Sequence, residues 1–248
     1  MMRFIESPNL PSSRVQAVVC GQLCDELNAY LDKLEIERIV IATNKEIDPA
    51  TEGHADMAAI HIGGNNIIAD KNQRELINKL RSRGFAVKES ANEVKGEYPY
   101  DVSLNFTLID DKIIGNLSFA DSILVDSTST FKSLNVKQGY CKCSCLVVDK
   151  NSIITDDNSV YKIAVRNGLD CLLISKGDIS LPGHEYGFIG GASAKISESE
   201  VLFFGDITKH RDYKKIAGFI NEHGCKIKYL DFPLTDFGGI IPITEKAP

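Results

Sequence analysis

A glycine-rich apolar block recurs five times along the chain, and this repeat constrains the fold more than any other feature. The copies lie about 40 to 50 residues apart, a spacing typical of repeat architectures. They begin at Asp56, Asp101, Gly139, Gly187 and Phe237. About a dozen residues into each of the first four copies comes an apolar doublet, at residues 67–68, 113–114, 153–154 and 201–202. We therefore expect each block and its doublet to form a pair of strands in a repeated unit.

The segments between the blocks predict one helix and one further strand in each unit. In residues 71–83, Leu76, Ile77 and Leu80 share one helical face, and Gly84 stands where a glycine commonly ends a helix. The same plan repeats over residues 22–34, 159–167 and 210–223. A fifth copy over residues 122–135 is predicted to be degraded, because its Ser/Thr-rich body favours a helix poorly. Each unit should thus run strand, strand, helix, strand.

The two ends of the chain complete this pattern. The first unit lacks its leading strand, whereas the last block, residues 237–243, has no helix after it. If that last strand pairs beside the N-terminal strand that begins at Arg14, five units close into a ring with no exposed sheet edges. We therefore predict an α/β fold, a five-fold pseudosymmetric α/β propeller of ββαβ units in one domain over residues 1–248. An ordinary α/β sandwich is the alternative.

Composition argues against several classes of function. The net charge of the 248-residue chain is −6, and no Lys/Arg run dominates any stretch, which argues against a nucleic-acid partner. No apolar run approaches the ~18 residues that a membrane span needs, and the N-terminus lacks the apolar core of a signal peptide. Seven cysteines, an odd number, favour a reducing compartment. We expect a cytoplasmic protein without membrane partners, and a homo-oligomer remains open.

Four segments, together with the five-fold repeat, carry a resemblance to a known superfamily. They read HADM from His54, YPYDVSLN from Tyr98, GYCKCS from Gly139 and HEYGFIGGA from His184. The chain resembles the pentein fold, which the guanidino-group modifying enzymes (deiminases and amidinotransferases) share with the ribosome anti-association factors. It is similar in particular to a bacterial, clostridial-type family described as having this fold. The resemblance implies a central channel with a cysteine nucleophile in the last unit, a histidine in the preceding unit and acidic residues that hold the guanidinium group.

Carried onto this sequence, the resemblance assigns residues to the channel. His184 lies where the catalytic histidine is expected, at the start of the fourth channel strand. Asp56 and Asp101 stand at the starts of the first two such strands, where carboxylates suit a planar cation. Asp236 begins the fifth strand, which should contain the nucleophile, yet residues 236–243 include no Cys, Ser or Thr. This departure removes the thiol that the usual deiminase mechanism requires.

A thiol from the third block is one replacement for the missing nucleophile. Cys141, Cys143 and Cys145 alternate along the chain, which predicts that they share one face of a strand. Cys141 or Cys143 can act as a relocated nucleophile if it faces the channel. The favoured alternative is that these small residues pack in the core. A zinc site is disfavoured because alternate residues of a strand lie ~7 Å apart, farther than zinc–thiolate bonds of ~2.3 Å allow.

Three further residues are candidates for ligand binding. His54 begins a His-x-Asp pattern, and Tyr140 and Glu185 can supply hydrogen bonds or contacts to a cation. The sequence predicts neither a metal site nor a cofactor. Three functions therefore remain: a protein that binds a small guanidino-like cation without a nucleophile, a cysteine-dependent hydrolase or transferase on a guanidino compound, and a ribosome-associated interaction module.

Overall fold

The computed structural model describes residues 2–247, in which the strands form five small, separate sheets. The first sheet has the order β1 (Met2–Phe4), β16 (Ile240–Lys246), β2 (Val15–Cys20), β3 (Glu37–Val40). The second contains β4 (Ala59–Gly63), β5 (Asn66–Ala69) and β6 (Ala86–Glu89), and the third β7 (Thr107–Ile109), β8 (Lys112–Gly115) and β9 (Lys132–Asn135). The fourth contains β10 (Cys145–Asp149), β11 (Ser152–Thr155) and β12 (Asp170–Leu173), and the fifth β13 (Ser193–Ser197), β14 (Glu200–Phe203) and β15 (Lys226–Lys228).

Every sheet contains the same unit: an antiparallel strand pair, a helix and a strand that returns parallel to the second strand of the pair. The five helices that make this connection are α1 (Asp25–Lys33), α3 (Arg74–Ser82), α4 (Ser122–Ser127), α6 (Asn158–Arg166) and α7 (Tyr213–Glu222). Two four-residue helices, α2 (Ala55–Ala58) and α5 (Cys141–Ser144), precede β4 and β10. The predicted strand–strand–helix–strand unit is therefore what the chain forms.

Helix α4 is the shortest of the five connecting helices, as its Ser/Thr-rich sequence predicted. Its first turn depends on a cap, because the Asp121 carboxylate accepts a hydrogen bond from the backbone N–H of Ile123. Leu124 is its one buried residue. The unit is thus retained here with a reduced helix rather than lost.

Strand β16 unites the two ends of the chain. It lies between β1 and β2 and pairs antiparallel with both, as the sequence predicted for the strand from Arg14. The buried Glu245 carboxylate accepts hydrogen bonds from the backbone N–H groups of Ser12 and Ser13, and forms an ion pair with Arg3. The last block thereby supplies the leading strand that the first unit lacks.

The leading strands of the sheets also contact one another. Strand β16 contacts β4 and β13, and β10 contacts β13 and β7. Ile60 of β4 and Leu108 of β7 belong to one buried apolar cluster, which joins the second and third sheets. None of the helices in residues 2–247 has the length and apolar character that a membrane crossing requires.

The blocks begin earlier than the strands into which they lead, so three sequence expectations are wrong. Cys141 and Cys143 lie in α5, where the Ser144 N–H bonds to the Tyr140 carbonyl, and only Cys145 is in a strand. The three cysteines therefore do not share a strand face. Asp56 lies in α2 and Asp101 in a turn, respectively three and six residues before their strands. His184 precedes β13 by nine residues and Asp236 precedes β16 by four, so neither of them starts its channel strand.

We predict that replacing Ile243 with alanine destabilises the protein by about 2–5 kcal/mol, because Ile243 is fully buried in β16 and the change leaves a cavity. Val165→Ala in α6 is the control, since Val165 is 48% exposed and should change stability by less than about 0.5 kcal/mol. Urea unfolding of both variants measures the difference. Equal losses would contradict a central role for β16.

Candidate functional site

A cavity of about 270 Å³ opens where the segments before β4, β10, β13 and β16 meet. It is lined by Asp48, Thr51, His54, Tyr140, Cys143, Leu181, His184, Glu185, Tyr186, Phe188 and Asp236. Six of these residues are candidates from the sequence, and they lie in or within three residues before four of the five blocks. A second cavity of about 630 Å³ lies alongside and shares four lining residues with it, Asp48, His54, Leu181 and Asp236.

The carboxylate of Asp236 is the most firmly held group in this cavity. One oxygen accepts the backbone N–H of Phe188 and the other the backbone N–H of Gly238, each at 2.8 Å. A Cβ on Gly191 would lie 1.9 Å from Asp236 Oδ1, so only glycine fits there. Gly238 has a φ of +73°, and a Cβ on it would lie 2.2 Å from the Cβ of His54. Burial raises the pKa of Asp236 above its usual value.

The thiol of Cys143 is fixed by two side chains. It donates a hydrogen bond to Asp56 Oδ2 at 3.0 Å and accepts one from the Asn105 amide nitrogen at 3.1 Å. The amide oxygen of Asn105 accepts the backbone N–H groups of Lys142 and Cys143. Burial, followed by the charges of Asp56 and Asp236, raises the pKa of Cys143 well above its usual value. The free site thus holds a neutral thiol at neutral pH.

Asp56 and His54 complete a compact group of donors. Burial raises the pKa of Asp56 to about 6, and His54 partly opposes the rise. Asp56 Oδ1 and His54 Nδ1 have no hydrogen-bond partner within residues 2–247. His54 Nδ1 lies 3.9 Å from Asp236 Oδ1. One ligand atom from each of His54, Asp56 and Cys143 lies within 4.8 Å of the others.

The floor of the cavity, formed by His54, Asp56, Cys143 and Asp236, is acidic, and His54 is its one basic side chain. In the described part of the chain, neither Asp56 nor Asp236 forms a salt bridge with lysine or arginine. Lys142 acts on both carboxylates only as a charge at a distance. Burying carboxylates without a cation is costly, and such a cost is characteristic of functional sites.

The rim and one wall have a different character. His184 Nε2 lies 3.2 Å from Asp48 Oδ2, and both side chains are 45% exposed, so this pair stands at the mouth. The rings of Tyr140 and Phe188 stack at 6.3 Å, and Tyr186 meets Phe188 edge-on at 6.0 Å. The cavity therefore combines an acidic floor, an aromatic wall and a polar mouth.

Three of the residues selected from the sequence lie outside the cavity lining. Asp101 accepts a hydrogen bond from the Tyr140 hydroxyl at 2.7 Å, and so it positions the aromatic wall from behind. Cys141 is buried in an apolar cluster with Ile109 and Leu134, and its thiol bonds to the Gln138 carbonyl. Asp56 contacts Cys143 from behind the lining.

Sequence reasoning did not find Asp48, Asn105 or Phe188. Asn105 had a usable signal, because it is an amide inside an apolar block, two residues before its strand. Phe188 also lies inside its own apolar block and before the strand that follows it. Asp48 lies in the loop between β3 and α2, outside the repeated blocks, so no pattern marked it.

The chain matches the model of one protein family, described as a family of unknown function (DUF6873), over residues 18–241. The chain belongs to this family. No curated protein sequence matches it significantly.

Three solved structures, two amidinotransferases and one deiminase, are similar in fold to this chain. The amidinotransferase SxtG of the saxitoxin pathway of Microseira wollei is 13% identical, with a TM-score of 0.57 over 97% of this chain and 98% of that one. Inosamine-phosphate amidinotransferase StrB1 of Streptomyces griseus is 10% identical, with a TM-score of 0.59 over 99% and 98%. Agmatine deiminase of C. jejuni is 13% identical, with a TM-score of 0.52 over 93% and 91%. The chain therefore has the fold of the guanidino-group modifying enzymes, as the resemblance implied.

We predict that Asp56→Asn stabilises the metal-free protein. Because folding raises the pKa of Asp56 from 3.8 to about 6, the ionised carboxylate opposes folding, and this penalty grows as the pH rises between those values. At about pH 7.5 the penalty is up to about 3 kcal/mol, which corresponds to several degrees in melting temperature. The difference in melting temperature between wild type and variant should be smaller at about pH 4.5, where Asp56 is protonated.

Thermal unfolding with a chelator present measures this difference. The exposed Asp231→Asn is the matched control and should melt like wild type at both pH values. A difference that grows on acidification would contradict a raised pKa for Asp56.

Proposed function

We propose that the protein binds a small guanidinium-like cation in this cavity. The observation that carries the proposal is a pair of buried carboxylates, Asp236 in the lining and Asp56 behind it against Cys143. In residues 2–247 neither has a lysine or arginine partner, and His54 is the one basic side chain beside them. A cationic ligand offsets the electrostatic cost of burying them. The ligand-free protein bears this cost alone.

The remaining lining favours a flat cation over other charged molecules. The stacked rings of Tyr140 and Phe188 provide an aromatic wall against which a planar cation can lie. Asp48 and Glu185 add carboxylates at the mouth, where an amine at the far end of a ligand would meet them. A cavity of about 270 Å³ suits a guanidinium group with a short chain, and the neighbouring cavity has room for a longer one.

We also propose that the five units are arranged in a ring around the site. The leading strands make contacts in the order β4, β16, β13, β10, β7, and the cluster shared by Ile60 and Leu108 links the last to the first. These contacts support a single domain over residues 1–248 in which five units close into a propeller-like ring around the cavity. All seven cysteines are unpaired, which supports the reducing environment of the cytoplasm.

We expect arginine or agmatine to raise the melting temperature of the wild-type protein, because a ligand that binds only the folded state stabilises it. Asp48→Asn and Glu185→Gln should weaken the shift, since they remove carboxylates at the mouth without disturbing the core. The exposed Asp231→Asn is the matched control. Thermal shift and calorimetry with a chelator present test the proposal. Equal shifts with uncharged citrulline would contradict a site for cations.

Catalysis by a relocated cysteine is the second candidate, and the position of Cys143 favours it. Cys143 is the one cysteine that lines the described cavity, and its thiol already donates to Asp56. A bound cation would counteract the negative charge that now raises the thiol pKa, and Asp56 can accept the proton. The thiolate would then attack the central carbon of the guanidinium group. An amine leaves with a proton, and water or a second amine releases the group from sulfur.

A pair of reagents of nearly equal shape tests this candidate. Chloroacetamidine carries a positive charge, whereas chloroacetamide is neutral, so an acidic site should direct only the first to its thiol. The ratio of the two alkylation rates with free cysteine is the reference. At Cys143 we predict that this ratio shifts at least about tenfold in favour of the cationic reagent, which corresponds to about 1.4 kcal/mol. Peptide mass mapping follows all seven cysteines.

Two controls accompany this measurement. Arginine should slow the reaction, and Cys141→Ser should leave it unchanged because Cys141 faces the core. No preference at Cys143, or a preference shared by the other six thiols, would remove the enzyme candidate. The ribosome-associated module that the sequence also suggested stays a prediction.

A further inference from the structure

We propose that His54, Asp56 and Cys143 form a site for a divalent transition-metal ion of the zinc type. The three side chains come from two different units and converge because α2 and α5 bring them together beside the cavity. All three are buried. A metal would therefore be a second class of occupant at the site, besides the guanidinium-like cation.

The spacing of the donor atoms carries the inference. Tetrahedral zinc bonded to sulfur at about 2.3 Å and to oxygen at about 2.1 Å places these two ligand atoms about 3.6 Å apart. Cys143 Sγ and Asp56 Oδ2 are 3.0 Å apart, and all three donor atoms lie within 4.8 Å of one another. Small side-chain adjustments thus suffice to complete three bonds. The zinc site that the sequence disfavoured used three cysteines, whereas this one uses a single thiolate.

Unpartnered buried atoms provide independent support. Asp56 is 1% exposed and His54 is 6% exposed, yet Asp56 Oδ1 and His54 Nδ1 lack hydrogen-bond partners in the described residues. A bond to a metal would satisfy either atom. The Asp236 carboxylate, 3.9 Å from His54 Nδ1, adds negative charge beside the three donors.

The donor set selects the kind of ion. A thiolate, an imidazole and a carboxylate together suit zinc and its neighbours, whereas magnesium and calcium prefer oxygen donors alone. On binding, the S–H bond of Cys143 breaks, the proton leaves to solvent, and the electron pair of sulfur forms the bond to the metal. Three protein ligands leave a fourth position for water or another ligand, a pattern typical of zinc sites that are not purely structural.

Cobalt(II) is the probe, because zinc has no visible spectrum and cobalt accepts the same ligands. After the protein has been treated with a chelator and a phosphine reductant, we expect one cobalt(II) ion per chain to give a thiolate-to-cobalt charge-transfer band in the near ultraviolet. Zinc should displace the cobalt and abolish the band. Cys143→Ser should abolish the band and raise the dissociation constant at least about 100-fold, since even loss of residues behind the ligands costs 10–100-fold.

Matched variants identify the thiol. Cys141→Ser removes the core-facing thiol of the same short helix, and Cys24→Ser removes a partly exposed one, so both should retain the band. Loss of the band in either variant, or its survival in Cys143→Ser, would overturn the site. So would the absence of any band in the wild-type protein at millimolar cobalt.

A measurement on the wild-type chain guards against a Cys143→Ser variant that fails to fold. Zinc should protect Cys143 from chloroacetamide by at least about tenfold while the other six cysteines react as before, and unchanged alkylation of Cys143 would overturn the site. The guanidinium tests contain a chelator, and the metal titration contains no guanidinium compound. Failure of one proposal is therefore distinguishable from failure of the other.

Discussion

The hydrogen bonds of Asp236 are the constraint on which the rest of the site depends. Its carboxylate accepts N–H groups from Phe188 and Gly238, and so it ties the block before β13 to the block before β16. The close approach of Gly191 to this carboxylate, and of Gly238 to His54, requires that both positions lack a side chain. The recurrent glycines are therefore the places where backbone from several units meets one buried acid.

This arrangement has an electrostatic cost that the fold alone does not require. Asp56 and Asp236 are both buried, and burial raises the pKa of each. Burial, reinforced by the charges of these carboxylates, also raises the pKa of the Cys143 thiol. Apolar residues of similar size would pack there at less cost. A stable fold that retains such a group commonly trades stability for function. The lack of a lysine or arginine partner for these carboxylates in residues 2–247 is thus the main support for the proposed cation.

The fold was more predictable than the site because the two depend on different kinds of information. Helix stripes such as that of α3 and the apolar doublets have periods that fix their structure locally. The site residues lie in short helices and turns before the strands, where no period applies. Cys141 and Cys143 looked equivalent in a strand pattern. Because both lie in the short helix α5 instead, Cys141 packs in the core and Cys143 lines the cavity.

The positions of the aspartates before their strands likewise explain why their roles differ. Asp56 and Asp101 appeared at matching points of the repeat, but their different distances from β4 and β7 give them different roles, one beside the thiol and the other behind Tyr140. Asp236 was a candidate only as the first residue of the strand that lacked a nucleophile. Its position opposite His54 depends on the tertiary meeting of two blocks nearly 200 residues apart, which no local pattern encodes.

The proton on Cys143 connects the proposed occupants of the cavity. A guanidinium-like cation that is only bound leaves the S–H···Asp56 hydrogen bond in place, whereas both a reacting guanidinium group and a metal require the thiolate. Burial disfavours that thiolate, and the neighbouring carboxylates of Asp56 and Asp236 disfavour it further. Any chemistry at this sulfur must therefore begin with the arrival of positive charge. If the cavity binds a cation as proposed, that cation rather than the protein alone activates the thiol.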